Sequence, residues 1–83
     1  MFDAEFIVLD VVEAKNGSRL RMATQEGKYF YATCPGKEAF KAQVLRDREK
    51  YLGSTVNVEY ASLTKENKPF HPIATGFVNR QFD

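Results

Sequence analysis

Apolar and polar positions alternate with a period of two over most of this 83-residue chain, and the alternation stops wherever turn-forming residues collect. "MFDAEFIVLDVVEA" (1–14), rich in Phe, Val, Ile and Leu, predicts a long first strand that breaks at "KNGS", where Gly17 is free to take a positive φ. In "SRLRMAT" (18–24) Leu20 and Met22 share one face and Arg19 and Arg21 the other. After the turn "QEG", "KYFYATC" (28–34) sets Phe30 and Ala32 opposite Tyr29 and Tyr31. These three segments predict an antiparallel meander. "CPG" (34–36) then interrupts the strand pattern, and "KEAFKAQVLRDREKYL" is composed of helix formers, with Phe40, Val44 and Tyr51 near one face. It predicts a single amphipathic helix of three to four turns, opened by Gly36 and stopped by Gly53. Beyond it, "STVNVEYASL" alternates Val56, Val58 and Tyr60 against Thr55, Asn57 and Glu59. "TKENK" turns the chain into "PFHPIATGFV", a last strand introduced by Pro69 and Pro72 at positions where no ladder N–H is required.

The resulting order is three strands, a helix and two strands, in one domain spanning residues 1–83. It fits a five-stranded OB-fold, a partly open Greek-key barrel, all-β apart from its one helix. An SH3-like barrel has no long helix at that place.

Composition narrows the function classes. With 43% hydrophobic residues, seven Phe and four Tyr, the chain carries enough apolar material for one core, though a domain of this size leaves little room for an elaborate catalytic cavity. The single cysteine, Cys34, and single histidine, His71, cannot assemble a disulfide or a Cys/His metal site, so neither metal nor cofactor is expected. A reducing, cytoplasmic setting is the expectation. It agrees with the absence of a run near the ~20 apolar residues of a membrane span and of a basic n-region at the acidic N-terminus, so no membrane partner is expected. Net charge is only +1, but it is unevenly spread. Residues 1–14 hold four acids and no base, whereas residues 15–50 hold nine bases against four acids. The middle of the chain is the electropositive part.

Several motifs together resemble a known family. "FIVLDVVE" as an opening strand, "EGK" with Phe30 shortly after it, "PG" (35–36) before a charged helix, "YLGSTVNVEYASLT" (51–64) and "KPFHP" (68–72) follow in the order and spacing of the C-terminal OB domain of ATP-dependent DNA ligases of the compact bacterial and phage type. The resemblance runs from Phe6 to about Phe77. It implies an OB barrel that grips a nucleic-acid backbone, with DNA, single- or double-stranded, as the partner. The family's Lys-x-Asp-Gly nucleotidyltransferase motif is absent, since the chain contains no Asp-Gly pair, and Val78 stands where the resemblance would place the arginine of the motif that orients ATP. Arg80 and Asp83 are therefore given no ATP role, and no catalysis is expected.

An OB-fold binds through the outer face of its second and third strands and the loops beside it, using bases for phosphates and rings for stacking. Alternation places Arg19, Arg21, Tyr29 and Tyr31 on that face, with Lys15 in the first turn and Lys65 and Lys68 in the loop between the last two strands; these seven are the candidate nucleic-acid-binding residues. The competing reading is that the tyrosines cover an apolar shoulder and the bases are solvated. The bases of the helix alternate with Glu38, Asp47 and Glu49, as on an ordinary solvated face. His71 has no nucleophile or second ligand beside it in sequence. Two alternative functions follow from the near-neutral charge and the resemblance: a protein-protein adaptor or inhibitor that docks partners at a barrel edge, and the accessory half of a split ligase.

Overall fold

A computed structural model describes residues 1–15 and 17–78. The turn residue Asn16, and the ending that contains Arg80 and Asp83, lie outside the described residues. The chain forms β1 (Phe2–Ala14), β2 (Gly17–Ala23), β3 (Tyr29–Thr33), α1 (Glu38–Arg46), α2 (Arg48–Tyr51), β4 (Thr55–Tyr60), β5 (Ser62–Leu63), β6 (Pro69–Phe70) and β7 (Ile73–Val78). Five strands make one antiparallel sheet in the order β3-β2-β1-β4-β7, and β5 and β6 make a separate two-stranded ladder.

The long first strand organises this sheet. Its residues 2–7 pair with β4, from Phe2 opposite Tyr60 to Ile7 opposite Thr55, and its residues from Val8 onward pair with β2. The handover is marked by a bulge between Val8 and Asp10, which bends the strand so that its two halves serve two parts of a curled sheet. Inward positions alternate as the sequence requires. Val8 and Val11, Leu20 and Met22, Phe30 and Ala32, and Val56 and Val58 are buried, and α1 and α2 close one end of the core with Val44 and Tyr51. Gly17 has φ +121°, and a Cβ there would stand 2.8 Å from Cβ of Lys41, so glycine lets the first turn tuck against α1. Ser18, fully buried beside it, donates its hydroxyl to the Lys41 carbonyl at 2.9 Å.

Three expectations are corrected. First, the sheet is not a closed barrel. The edge strands β3 and β7 approach each other but share no hydrogen-bonded ladder. β3 ends at Thr33, and Pro35, which shares an apolar recess with Thr75, Gly76 and Phe77, brings no N–H to the place where closure would need one. Second, the helix is two helices, α1 and α2, separated at Asp47 (φ −105°, ψ 31°); aspartate is among the poorer helix formers. Gly53, with φ +84°, ends the helical segment as expected. Third, the last two predicted strands are each split. β4 and β5 are separated by a bend at Ala61. β6 and β7 are separated at His71, which takes φ +53° immediately before Pro72, so neither residue continues a ladder.

Two turns share one construction. In 24–28 the Thr24 N–H donates to the Lys28 carbonyl (2.9 Å), the Gly27 N–H donates to the Thr24 carbonyl (2.9 Å), and the Thr24 hydroxyl accepts from the Lys28 N–H (3.2 Å). In 64–68 Thr64, Asn67 and Lys68 repeat these three bonds at 2.8, 2.9 and 3.2 Å. Gly27 and Asn67 hold the matching positive φ, +82° and +63°. The Asn67 amide also donates to Glu26 Oε1 at 3.3 Å, tying the β5–β6 hairpin to the β2–β3 turn.

Candidate nucleic-acid interface

The outer surface of β2 and β3 is built by register. Leu20 opposite Ala32 and Met22 opposite Phe30 point into the core, so the intervening Arg19, Arg21, Tyr29 and Tyr31 must point outward. Arg21 lies directly opposite Tyr31, Arg19 opposite Thr33, and Ala23 opposite Tyr29. The guanidinium carbons then settle over rings on the diagonal, Arg19 at 4.9 Å from the Tyr31 centroid and Arg21 at 5.1 Å from that of Tyr29. The four side chains thus interleave as Tyr29, Arg21, Tyr31, Arg19. Such cation–π contacts at an exposed site are each worth about 0.5–1 kcal/mol, enough to hold the arginines against the sheet without sealing them in.

The rings remain open to a ligand, Tyr29 being 56% and Tyr31 41% exposed. They stand two residues apart on one face of a strand, a spacing of roughly 6.5–7 Å. Nε of Arg21 is shielded from solvent and has no hydrogen-bond partner among the described residues. An unmatched buried donor of this kind costs about 1–3 kcal/mol, which a turn of the guanidinium toward an anionic oxygen would relieve. On the neighbouring β1, Asp10 lies opposite Arg21 with Oδ1 accepting from the Val11 N–H at 2.8 Å, and Val12 lies opposite Arg19.

The three candidate lysines are distributed around this ladder. Lys15 is exposed in the turn that leads into β2, at the Arg19 end. Lys65 and Lys68 belong to the 64–68 turn, which reaches the other end, near Tyr29, through the Asn67–Glu26 contact. Lys65 is exposed, while Nζ of Lys68 is 4.0 Å from a Glu66 carboxylate oxygen. The four ladder residues are therefore brought together and the lysines bracket them. Sequence reading missed the unmatched Arg21 donor, because which arginine tucks its Nε against the sheet depends on cross-strand register.

Cys34 and His71 lie elsewhere. The Cys34 thiol is buried, and burial pushes its pKa above the ordinary 9.0, against smaller downward pulls from the Ser18 hydroxyl and the Lys41 charge. The folded chain thus holds the thiol proton more tightly than the unfolded chain. That contribution to stability is complete below pH 9.0 and fades as pH rises through and beyond it. The stability advantage of the native chain over Cys34→Ala is accordingly expected to shrink between pH 8 and pH 10 in denaturant titrations; a gap that widens would contradict this. No group of three or more His, Cys, Asp or Glu side chains among the described residues is arranged to hold a metal ion, and no helix is long and apolar enough to cross a membrane.

Neither a protein-family model nor a curated protein matches the sequence. Among solved structures, that of Chlorella virus DNA ligase-adenylate superposes with a TM-score of 0.77 at 18% identity, covering 98% of this chain and 32% of that one. The chain thus spans about a third of the length of that ligase. At this identity the likeness speaks for the fold alone, and it bears out the resemblance read from residues 6–77: the architecture is that of the OB-fold domain of an ATP-dependent DNA ligase.

Proposed function

We propose that this domain binds nucleic acid, DNA before RNA, through the outer face of β2 and β3, and carries no catalysis of its own. The observation that supports this reading is the interleaved ladder of Tyr29, Arg21, Tyr31 and Arg19, in which two exposed rings alternate with two guanidinium groups. Bases stack on the open parts of the rings while the guanidinium groups meet the flanking phosphates, the combination by which OB surfaces hold strands without reading sequence. Lys15 and Lys65 extend the positive field beyond both ends, and the ligase-like fold makes DNA the first substrate to try.

The test is fluorescence anisotropy with labelled single- and double-stranded oligonucleotides across a range of salt. Affinity is expected to fall steeply with salt, as phosphate contacts dictate. A Tyr29→Ala/Tyr31→Ala variant should lose about 1–3 kcal/mol of binding per stacked ring, while its folding stability falls only by the two cation–π contacts removed, about 0.5–1 kcal/mol each. Absence of binding even at low salt would overturn the proposal.

A further inference from the structure

The first half of β1 has an open side. Residues 2–7 pair with β4, pairing with β2 starts only at Val8, and no other strand among the described residues joins that stretch. Backbone direction follows from the register. Val8 donates its N–H to the Ser54 carbonyl and accepts from the Gly53 N–H, both at 2.8 Å, so its polar groups face β4. By the alternation of an antiparallel ladder those of Phe6 and Ala4 do likewise, and those of Asp3 and Glu5 point the other way.

On that side lies a groove of about 760 Å³. It runs between Ile7 and Leu9 of β1, Thr24 and Glu26 of the β2–β3 turn, and Leu63 and Pro69 of the β5–β6 hairpin. Its lining holds two carboxylates, Glu5 and Glu26, and no lysine or arginine, and Asp3 faces Glu59 across the ladder just beyond it. Glu26 is held in place by Asn67. Ile7, Leu9 and Leu63 are 48%, 41% and 52% exposed, an apolar share that solvent alone does not favour.

We propose that this groove docks an extended basic segment of a partner protein, which adds a strand to the open edge of β1. Unmatched backbone groups supply ladder bonds. Because successive side chains in a strand point to opposite faces, the partner's lysines or arginines fall on the face of Glu5, with their methylene stems over Ile7 and Leu9 and Glu26 adding its charge from the turn, while the apolar residues between them turn toward Ala4 and Phe6. A second copy of β1 fits poorly, since pairing would bring Asp3 and Glu5 against their own counterparts. Nucleic acid would meet the same carboxylates. This surface shares no residue with the Arg–Tyr ladder, so the inference stands or falls separately from nucleic-acid binding.

The experiment uses end-blocked KVKVK peptide titrated into the isotope-labelled domain. Saturable binding is expected, with amide shifts centred on Asp3, Glu5 and Glu26 and none at Tyr29 or Tyr31. An EVEVE peptide should not bind, and a KVKVK peptide N-methylated at alternate residues should bind about tenfold more weakly or worse, having lost its ladder donors. Glu5→Gln/Glu26→Gln should weaken KVKVK about tenfold without changing the melting temperature. The proposal is overturned by failure of KVKVK to bind at millimolar concentration, or by equal binding of the acidic or N-methylated peptide.

Discussion

Tyr51→Ala is expected to remove about 3–5 kcal/mol of folding free energy, the range for deleting a large buried ring. Tyr51 is 1% exposed and is the largest fully buried side chain among the described residues. It is the corner of an aromatic triangle, 6.3 Å from Phe40 at a near-perpendicular 89° and 5.3 Å from Phe77 at 51°, with Phe40 and Phe77 themselves 6.1 Å apart. The three rings join α1, α2 and β7, and no ladder links the helices to that strand. A cavity here cannot be refilled by a small shift of one element, because each wall belongs to a different one. Domains of this size hold only about 0.05–0.15 kcal/mol per residue, so the variant should be partly unfolded at ambient temperature. Circular dichroism with urea titration reads the effect directly. A loss under about 1 kcal/mol would mean that the triangle is not the keystone between helices and sheet.

What the amino-acid pattern revealed, and what it hid, divides along the range of the interactions. Arg19-Leu20-Arg21-Met22 and Tyr29-Phe30-Tyr31-Ala32 were legible because side-chain direction in a strand is a strictly local property, and the structure places all eight as the alternation demands. The ladder followed from the same rule once two strands were taken as neighbours. Gly17 and Gly53 were legible because positive φ suits glycine. His71 was not: a non-glycine residue at φ +53° before a proline is held there by its surroundings, and no composition rule flags it. The break at Asp47 carries only the weak local signal of one poor helix former inside a run of good ones, and the bend at Ala61 carries none. The failure of β3 and β7 to join, and the groove beside β1, depend on where one strand stops relative to another. These are long-range quantities that periodicity does not carry.

Reversing two charges in the ladder should have the largest effect on binding. In an Arg19→Glu/Arg21→Glu variant, two guanidinium groups that would meet phosphates become carboxylates beside Asp10, converting the centre of the face from attractive to repulsive. Each charge-assisted contact to phosphate is worth about 1.5–3 kcal/mol, so their loss together with the added repulsion is expected to lower affinity at least about a hundredfold at low salt. The slope of log affinity against log salt should flatten by about two phosphate contacts, a change that simple misfolding would not produce. Stability should move little by comparison. Arg19 is exposed, the cation–π contacts it and Arg21 make are each worth about 0.5–1 kcal/mol, and removing Arg21 also removes its unmatched Nε donor. The decisive comparison is with Lys65→Glu, a single reversal in the exposed 64–68 turn beyond the Tyr29 end of the ladder. If that change weakens binding as much as the ladder variant does, the field of the whole domain governs association and the Arg–Tyr face is not the site. If only the ladder variant collapses, the rings and guanidinium groups of β2 and β3 act as one surface.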